Sequence, residues 1–276
     1  MSSQSKSRTI LITGANTGIG YELVRQLASQ GHNVYLSSRS EGSGKDARGK
    51  LRSEHGLEVK YVQIDVTSEE SIKLARDAIE KEEGKLDVLV NNAGRFSNGM
   101  FKPSELTPAN MHEILDTNYY GVIRVTTAFI PLIRKAQNGV ILNVSSQVGS
   151  HTSQSQLGRW PPHLVAYYSS KAILNAYTIS LAKELKDEGI RVNSGTPGLT
   201  STNLDGVRDI TSRPASEGAA CLLPLILIDP EDKTKTEPMV PMAKYHGDAT
   251  TAAMTTADFI WHGSRNKPLR GGVSNG

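Results

Sequence analysis

Residues 9–31 read TILITGANTGIGYELVRQLASQG, and the succession of residue types in this stretch decides the fold class. TILIT (9–13) is short, apolar and β-branched, the composition of a buried strand. Gly14-Ala15-Asn16-Thr17-Gly18-Ile19-Gly20 follows as a turn with the spacing G-x-x-x-G-x-G. Leu23, Val24 and Leu27 then recur with helical spacing until Gly31 stops the run. A second apolar run, Val34–Ser37, closes a βαβ unit of the size of a mononucleotide-binding half. Positions without side chains let backbone N–H groups approach a pyrophosphate, and the positive end of the following helix stabilises it. The spacing is neither the common G-x-G-x-x-G fingerprint nor an NTPase phosphate loop, which ends in Gly-Lys-Ser/Thr.

The alternation continues outward from that unit. Residues 59–64 (VKYVQI) predict a strand, 68–83 a charged amphipathic helix, and 86–90 (LDVLV) a buried strand ending at Asn91-Asn92-Ala93-Gly94. One long helix is expected over 108–134, then a strand at 139–144. Next come a helix opened by AYYSSK (166–171) with Ile173, Tyr177, Leu181 and Leu185 at fourfold spacing, and a sixth strand at 190–194. Strands separated by helices imply an α/β fold: a Rossmann-type, doubly wound parallel sheet with helices on both faces and ligands beyond the carboxyl ends of the strands. Gly14–Gly20, Asn91–Gly94, Ser145-Ser146 and Pro197-Gly198 all follow predicted strands at that rim. Past residue 200 the period loosens. Residues 214–228 read as a helix with Pro214 in its first turn and a break at Pro224, residues 229–257 as an irregular loop or lid, and Phe259-Ile260-Trp261 as a last edge strand.

With 276 residues, 37% hydrophobic and 21% charged, the chain has the bulk of one large domain, expected over 9–276 behind a disordered tail at 1–8. The net charge of +3 includes no dense Lys/Arg run, so nucleic acid is not an expected partner. One cysteine, Cys221, excludes an internal disulfide, and no His or Cys spacing points to a metal. MSSQSKSR lacks the apolar core of a signal peptide, and no run of about 18 apolar residues occurs, so a soluble, cytoplasmic protein without membrane partners is expected.

Within AYYSSK, Tyr167 and Lys171 fall one helical turn apart on one face. A phenol titrates near pH ~10 in water, so it serves as an acid or base at neutral pH only where positive charge stabilises the phenolate. Lys171 is placed to supply that charge. Taken alone, the pair reads more readily as a surface aromatic and a solvated lysine, and the rest of the chain has to overturn that reading.

Together these positions resemble the short-chain dehydrogenase/reductase family over about residues 8–228, and the first half looks like NADPH-dependent carbonyl reductases. The matching motifs are TGANTGIG (13–20), Asp65-Val66, NNAG (91–94), Asn118 in NYYG, Ser146 in NVSSQVG, Tyr167 with Lys171, Asn193 in RVN, and PGLTST (197–202), in family order. The resemblance implies a catalytic set of Asn118, Ser146, Tyr167 and Lys171. Ser146 is taken over Ser145 because the family places its serine three residues before a glycine, here Gly149. By the resemblance Tyr167 exchanges a proton with the substrate oxygen, Ser146 orients that oxygen, Lys171 tunes the phenol and binds the nicotinamide ribose, and Asn118 holds a water linked to Lys171.

The resemblance also implies cofactor contacts from Gly14, Thr17, Gly18, Ile19 and Gly20 at the phosphates, Asp65 and Val66 at the adenine, Asn92, Ala93 and Gly94 at the ribose, and Pro197, Leu199 and Thr202 near the carboxamide and phosphates. At the end of the second strand, Ser37-Ser38-Arg39 offers a guanidinium for a 2′-phosphate where an NAD site wants a carboxylate. Ser37 and Ser38 are expected to add hydroxyl donors. The implied activity is NADP(H)-dependent reduction of a small ketone or aldehyde, reversibly the oxidation of an alcohol. The alternatives are an NAD-linked alcohol dehydrogenase and a dinucleotide sensor without turnover. A homodimer paired through the helices near 108–134 and 166–187 is a further implication. HTSQSQLGRWPPHLV (151–165) makes the gap from Ser146 to Tyr167 longer than the family's; Trp160 and its two prolines either shape a wall of the pocket or stiffen a surface loop.

Overall fold

The computed structural model describes residues 7–96, 101–155, 161–200 and 212–228. In chain order these form β1 (Thr9–Ile12), α1 (Gly18–Ser29), β2 (Asn33–Ser38), α2 (Glu41–His55), β3 (Lys60–Gln63), α3 (Glu69–Glu83), β4 (Val88–Asn91), α4 (Pro108–Leu115), α5 (Gly121–Arg134), β5 (Val140–Val144), α6 (His151–Gln154), α7 (Val165–Glu184), β6 (Arg191–Gly195), α8 (Ala215–Ala220) and α9 (Leu223–Ile226). The strands make one parallel sheet in the order β3-β2-β1-β4-β5-β6. This is the expected doubly wound topology, whose order reverses direction between β1 and β4 and opens a crevice there.

Each central strand is apolar on both faces because both faces are covered by helices. Ile10, Ile12, Val88, Val90, Val140 and Leu142 point into one core with Leu23 and Leu27 of α1, Leu51 of α2 and Ala219 and Leu222 at α8. Leu11, Leu89 and Ile141 alternate to the other core, against Ile72 and Ile79 of α3, Phe129 and Leu132 of α5, and Leu181 of α7. The period of two along a strand sends neighbouring residues to opposite layers, and the period of 3.6 in each helix supplies the cover.

Four expectations change. Helix α2 was not apparent in the sequence, because its buried face is only Gly44, Ala47 and Leu51. A Cβ on Gly44 would lie 2.1 Å from Tyr61 Cε2, so the helix packs closely through small residues that carry little apolar signal. The helix expected over 108–134 is interrupted by a π-helical turn, Asp116–Tyr120, which turns Asn118 inward to complete burial. Helix α7 buries Lys171, Leu174, Asn175, Thr178 and Leu181, whereas Ile173 and Tyr177 are only half-buried. The 214–228 segment divides into α8 and α9, but the break falls at Cys221-Leu222, and Pro224 sits in the first turn of α9, where its missing N–H costs no helical bond. Thr202, Trp160, the 229–257 loop and the Phe259–Trp261 strand lie outside the described residues.

Candidate active site

A cleft of about 460 Å³ opens along the carboxyl ends of the strands, lined at one end by Gly14, Thr17, Gly18, Ile19, Gly20, Arg39, Asp65 and Val66 and at the other by Ser145, Tyr167, Lys171 and Pro197. Asn92, Ala93 and Gly94 join the two ends.

The first end is built from backbone. Gly14 has φ +61°, and a Cβ there would lie 2.8 Å from Ala93 Cα. A Cβ on Gly20 would lie 2.5 Å from Asn92 Nδ2, and that amide donates to the carbonyls of Thr13 (2.9 Å) and Gly14 (3.0 Å). Thr13 Oγ1 in turn accepts from the backbone N–H groups of Asn92 and Ala93, both at 3.0 Å. The loops after β1 and β4 are therefore locked together, and the lock demands glycine at 14 and 20. Ser40, Ser68 and Thr107 cap α2, α3 and α4 with their own side chains, whereas Thr17 makes no such bond at the start of α1. Gly18, Ile19 and Gly20 of the first turn line the cleft, and Thr17 offers their N–H groups no side-chain acceptor, a setting suited to a pyrophosphate.

Arg39 is exposed on the cleft wall and makes no ion pair among the described residues. Its carbonyl accepts from Gln63 Nε2 at 2.9 Å, which fixes the backbone that carries it. Ser37 and Ser38 do not supply the expected donors: both are buried, Ser37 Oγ donating to Ile12 O (3.1 Å) and Ser38 Oγ to Ser40 O (2.6 Å). These bonds tie both hydroxyls to backbone carbonyls. Asp65 folds back on its own turn, its Oδ1 accepting from Thr67 N at 2.9 Å and Thr67 Oγ1 at 2.7 Å, and Val66 packs on α5, where a Cβ on Gly121 would meet it at 2.8 Å.

The second end is built from buried polar side chains. Lys171 is 6% exposed; its Nζ donates to Val144 O at 2.8 Å and stands 5.6 Å from the centroid of the Tyr167 ring. Burial lowers its pKa from 10.5 to about 8, because desolvation penalises the ammonium. Phe96 covers the phenol ring from another side, with centroids 4.9 Å apart. Asn118 Oδ1 accepts from Arg95 N (2.7 Å) while its Nδ2 donates to Arg95 O (2.8 Å) and Ser170 Oγ (3.1 Å). One amide thereby grips both sides of residue 95 and ties the rim of β4 to α7. Ser146 Oγ accepts from Val148 N at 3.5 Å. A Cβ on Gly149 would lie 2.9 Å from the Lys171 carbonyl, so the serine loop packs directly on α7 at the level of the lysine.

Of the expected residues, Asn118 and Ser146 support the cleft without lining it, and Leu199 is 55% exposed and outside the lining. Arg95, Thr117 and Ser145 line it without having been expected. Their only sequence signal is position: Arg95 directly follows NNAG, and Ser145 directly follows β5.

The family model for short chain dehydrogenases matches residues 8–211. A short-chain dehydrogenase of Penicillium roqueforti is 35% identical, over 76% of this chain and 84% of its own. Salutaridine reductase from Papaver somniferum superposes with a TM-score of 0.70 at 30% identity, covering 81% of this chain and 97% of its own. An alcohol dehydrogenase from the archaeon Thermococcus sibiricus, complexed with 5-hydroxy-NADP, gives a TM-score of 0.70 at 26% identity over 82% and 93% of the two chains. The topology, the glycine-built rim and the buried lysine beside a tyrosine agree with these likenesses: the chain belongs to the short-chain dehydrogenase/reductase family and is an oxidoreductase.

Proposed function

We propose that the protein is an NADPH-dependent reductase of a small ketone or aldehyde, running in reverse as an alcohol dehydrogenase. The observation that carries this reading is one cleft with an arginine that makes no ion pair among the described residues at one end and a buried lysine beside a tyrosine at the other. The Papaver relative is named a reductase and the Thermococcus neighbour is held with an NADP derivative, which supports the same direction.

NADP(H), when bound, supplies or takes up the hydride. Uncapped α1 and Gly14–Gly20 would hold its pyrophosphate, and Arg39 its 2′-phosphate. Tyr167 gives its phenolic proton to the carbonyl oxygen as negative charge develops there. Lys171 stabilises the resulting phenolate, and its desolvated position makes that attraction stronger than it would be in water. Ser146 hydrogen-bonds the same oxygen and orients it. Asn118 acts on this pair by fixing the Arg95 backbone and Ser170, the residue before Lys171. The reading extends to one dinucleotide-binding domain, a carbonyl reductase of the cytoplasm that needs neither membrane nor nucleic acid. It also extends to a homodimer, for which the apolar groove of Leu106, Pro108, Met111 and Leu115 gives support.

The test is a panel of ketones and aldehydes with NADPH, following its absorbance. Turnover of at least one carbonyl substrate, abolished when Tyr167 is replaced, is the expected result. Tight NADP+ binding without turnover of any carbonyl or alcohol would leave a dinucleotide-sensing protein instead.

A further inference from the structure

Ser145 and Ser146 are adjacent in sequence and opposite in environment. Ser146 is half-buried, and its Oγ already accepts from Val148 N. Ser145 is 5% exposed, lines the cleft, and its Oγ is one of the buried side-chain atoms that meet no hydrogen-bond partner among the described residues. A buried hydroxyl without a partner costs roughly 1–3 kcal/mol, so its retention at a cleft wall needs a cause. Its backbone is firmly placed: Ser145 N donates to Gly195 O at 2.8 Å, and the preceding carbonyl, of Val144, accepts from Lys171 Nζ. Ser145 therefore lines the reaction end of the cleft, together with Lys171 and Pro197.

We infer that Ser145 is a further cofactor-binding residue, whose Oγ hydrogen-bonds a polar group of the nicotinamide nucleoside, while Ser146 serves the substrate. This rests on the proposed NADP(H) function. A hydroxyl both donates and accepts, and so suits either a ribose hydroxyl or the carboxamide. The isolated protein carries the desolvation cost in advance, so the bond formed on binding is gained without stripping that hydroxyl of water.

The test compares wild type, Ser145→Ala and Ser146→Ala by calorimetric titration with NADP+ and with 2′,5′-ADP, which lacks the nicotinamide half. Ser145→Ala should weaken NADP+ about three- to tenfold and leave 2′,5′-ADP within twofold. The ligand-free melting temperature should be unchanged or higher, since an unpartnered polar atom is removed. Ser146→Ala should change neither affinity while lowering kcat. Equal NADP+ affinity in wild type and Ser145→Ala would overturn the inference, as would weakening of both ligands together, which would mark a packing role. A wild type that binds neither ligand would refute the proposed function itself.

Discussion

The two ends of the cleft are made from different materials. The phosphate end uses glycines, backbone amides and an uncapped helix terminus, with a charged side chain only at its exposed margin. The reaction end uses side chains whose polar atoms are buried: Asn118 and Ser170 at 0% exposure, Ser145 at 5% and Lys171 at 6%. The difference follows from what each end must do. A pyrophosphate arrives already charged and needs close, fixed donors, which the backbone provides without side-chain entropy. A proton in transit needs groups whose charge states lie close in energy, and burial does this for the lysine by penalising its ammonium.

Substitutions at the reaction end should therefore separate chemistry from binding, and those at the phosphate end should not. The largest effect is expected for Tyr167→Phe, which keeps the ring against Phe96 and removes the proton: kcat should fall about 10²–10⁴-fold with the NADP+ Kd within twofold, read by single-turnover kinetics and titration. Near-normal turnover would sink the assignment. Gly14→Ala places a Cβ 2.8 Å from Ala93 Cα at a left-handed φ of +61°. At a cost of roughly 1–3 kcal/mol, both thermal stability and NADP+ affinity should drop together, the affinity about tenfold or more. A stable variant that binds normally would show that the interlocked loops do not form the phosphate site.

Arg39→Asp sharpens the comparison at the exposed margin. A charge-assisted bond contributes about 1.5–3 kcal/mol, so the preference for NADPH over NADH in kcat/KM should fall about ten- to a hundredfold. With Ser37 and Ser38 turned away, nearly all of that preference rests on the guanidinium. The effect should shrink at high salt because Arg39 is exposed. A variant whose preference stays with NADPH would show that the phosphate is read elsewhere.

The smallest effect is one of stability and has the opposite sign. Lys171 has a folded-state pKa of about 8 against an ordinary 10.5, so between those values the unfolded chain holds the proton and the folded chain does not. Wild-type stability should then rise as pH goes from about 8 to 10.5, and the full cost of burying the ammonium is present below pH 8. Lys171→Met removes that cost: the ligand-free protein should melt about 2–5 °C higher at pH 7, lose the alkaline slope, and lose turnover. A lower melting temperature would mean that the bond to Val144 O outweighs desolvation.

Much of this was legible in residue order. The strand at 9–13, the glycines at 14, 18 and 20, and the tyrosine and lysine four apart are local patterns, and local patterns survive in a linear chain. Helix α2 was not legible, since Gly44, Ala47 and Leu51 declare no apolar face until Tyr61 is set against them. Nor was the break in 108–134, because a π-turn inserts its extra residue where the inward pull on Asn118, by Arg95 and Ser170, outweighs regular helical bonding.

The doubly wound fold, the family and the residue types available for hydride transfer chemistry are written in residue order, because strand and helix periods and glycine spacing are properties of neighbours along the chain. Only the tertiary structure decided which hydroxyls face the cleft. The hydroxyls of Ser37 and Ser38 bond backbone, that of Ser146 accepts from its own turn, and that of Ser145, at the cleft wall, is buried without a partner among the described residues. Side-chain direction at a strand end is fixed by pleat, by register against the next strand and by what packs behind it, and those partners come from residues 25 to 50 positions away, as Ile12 does for Ser37 and Gly195 for Ser145.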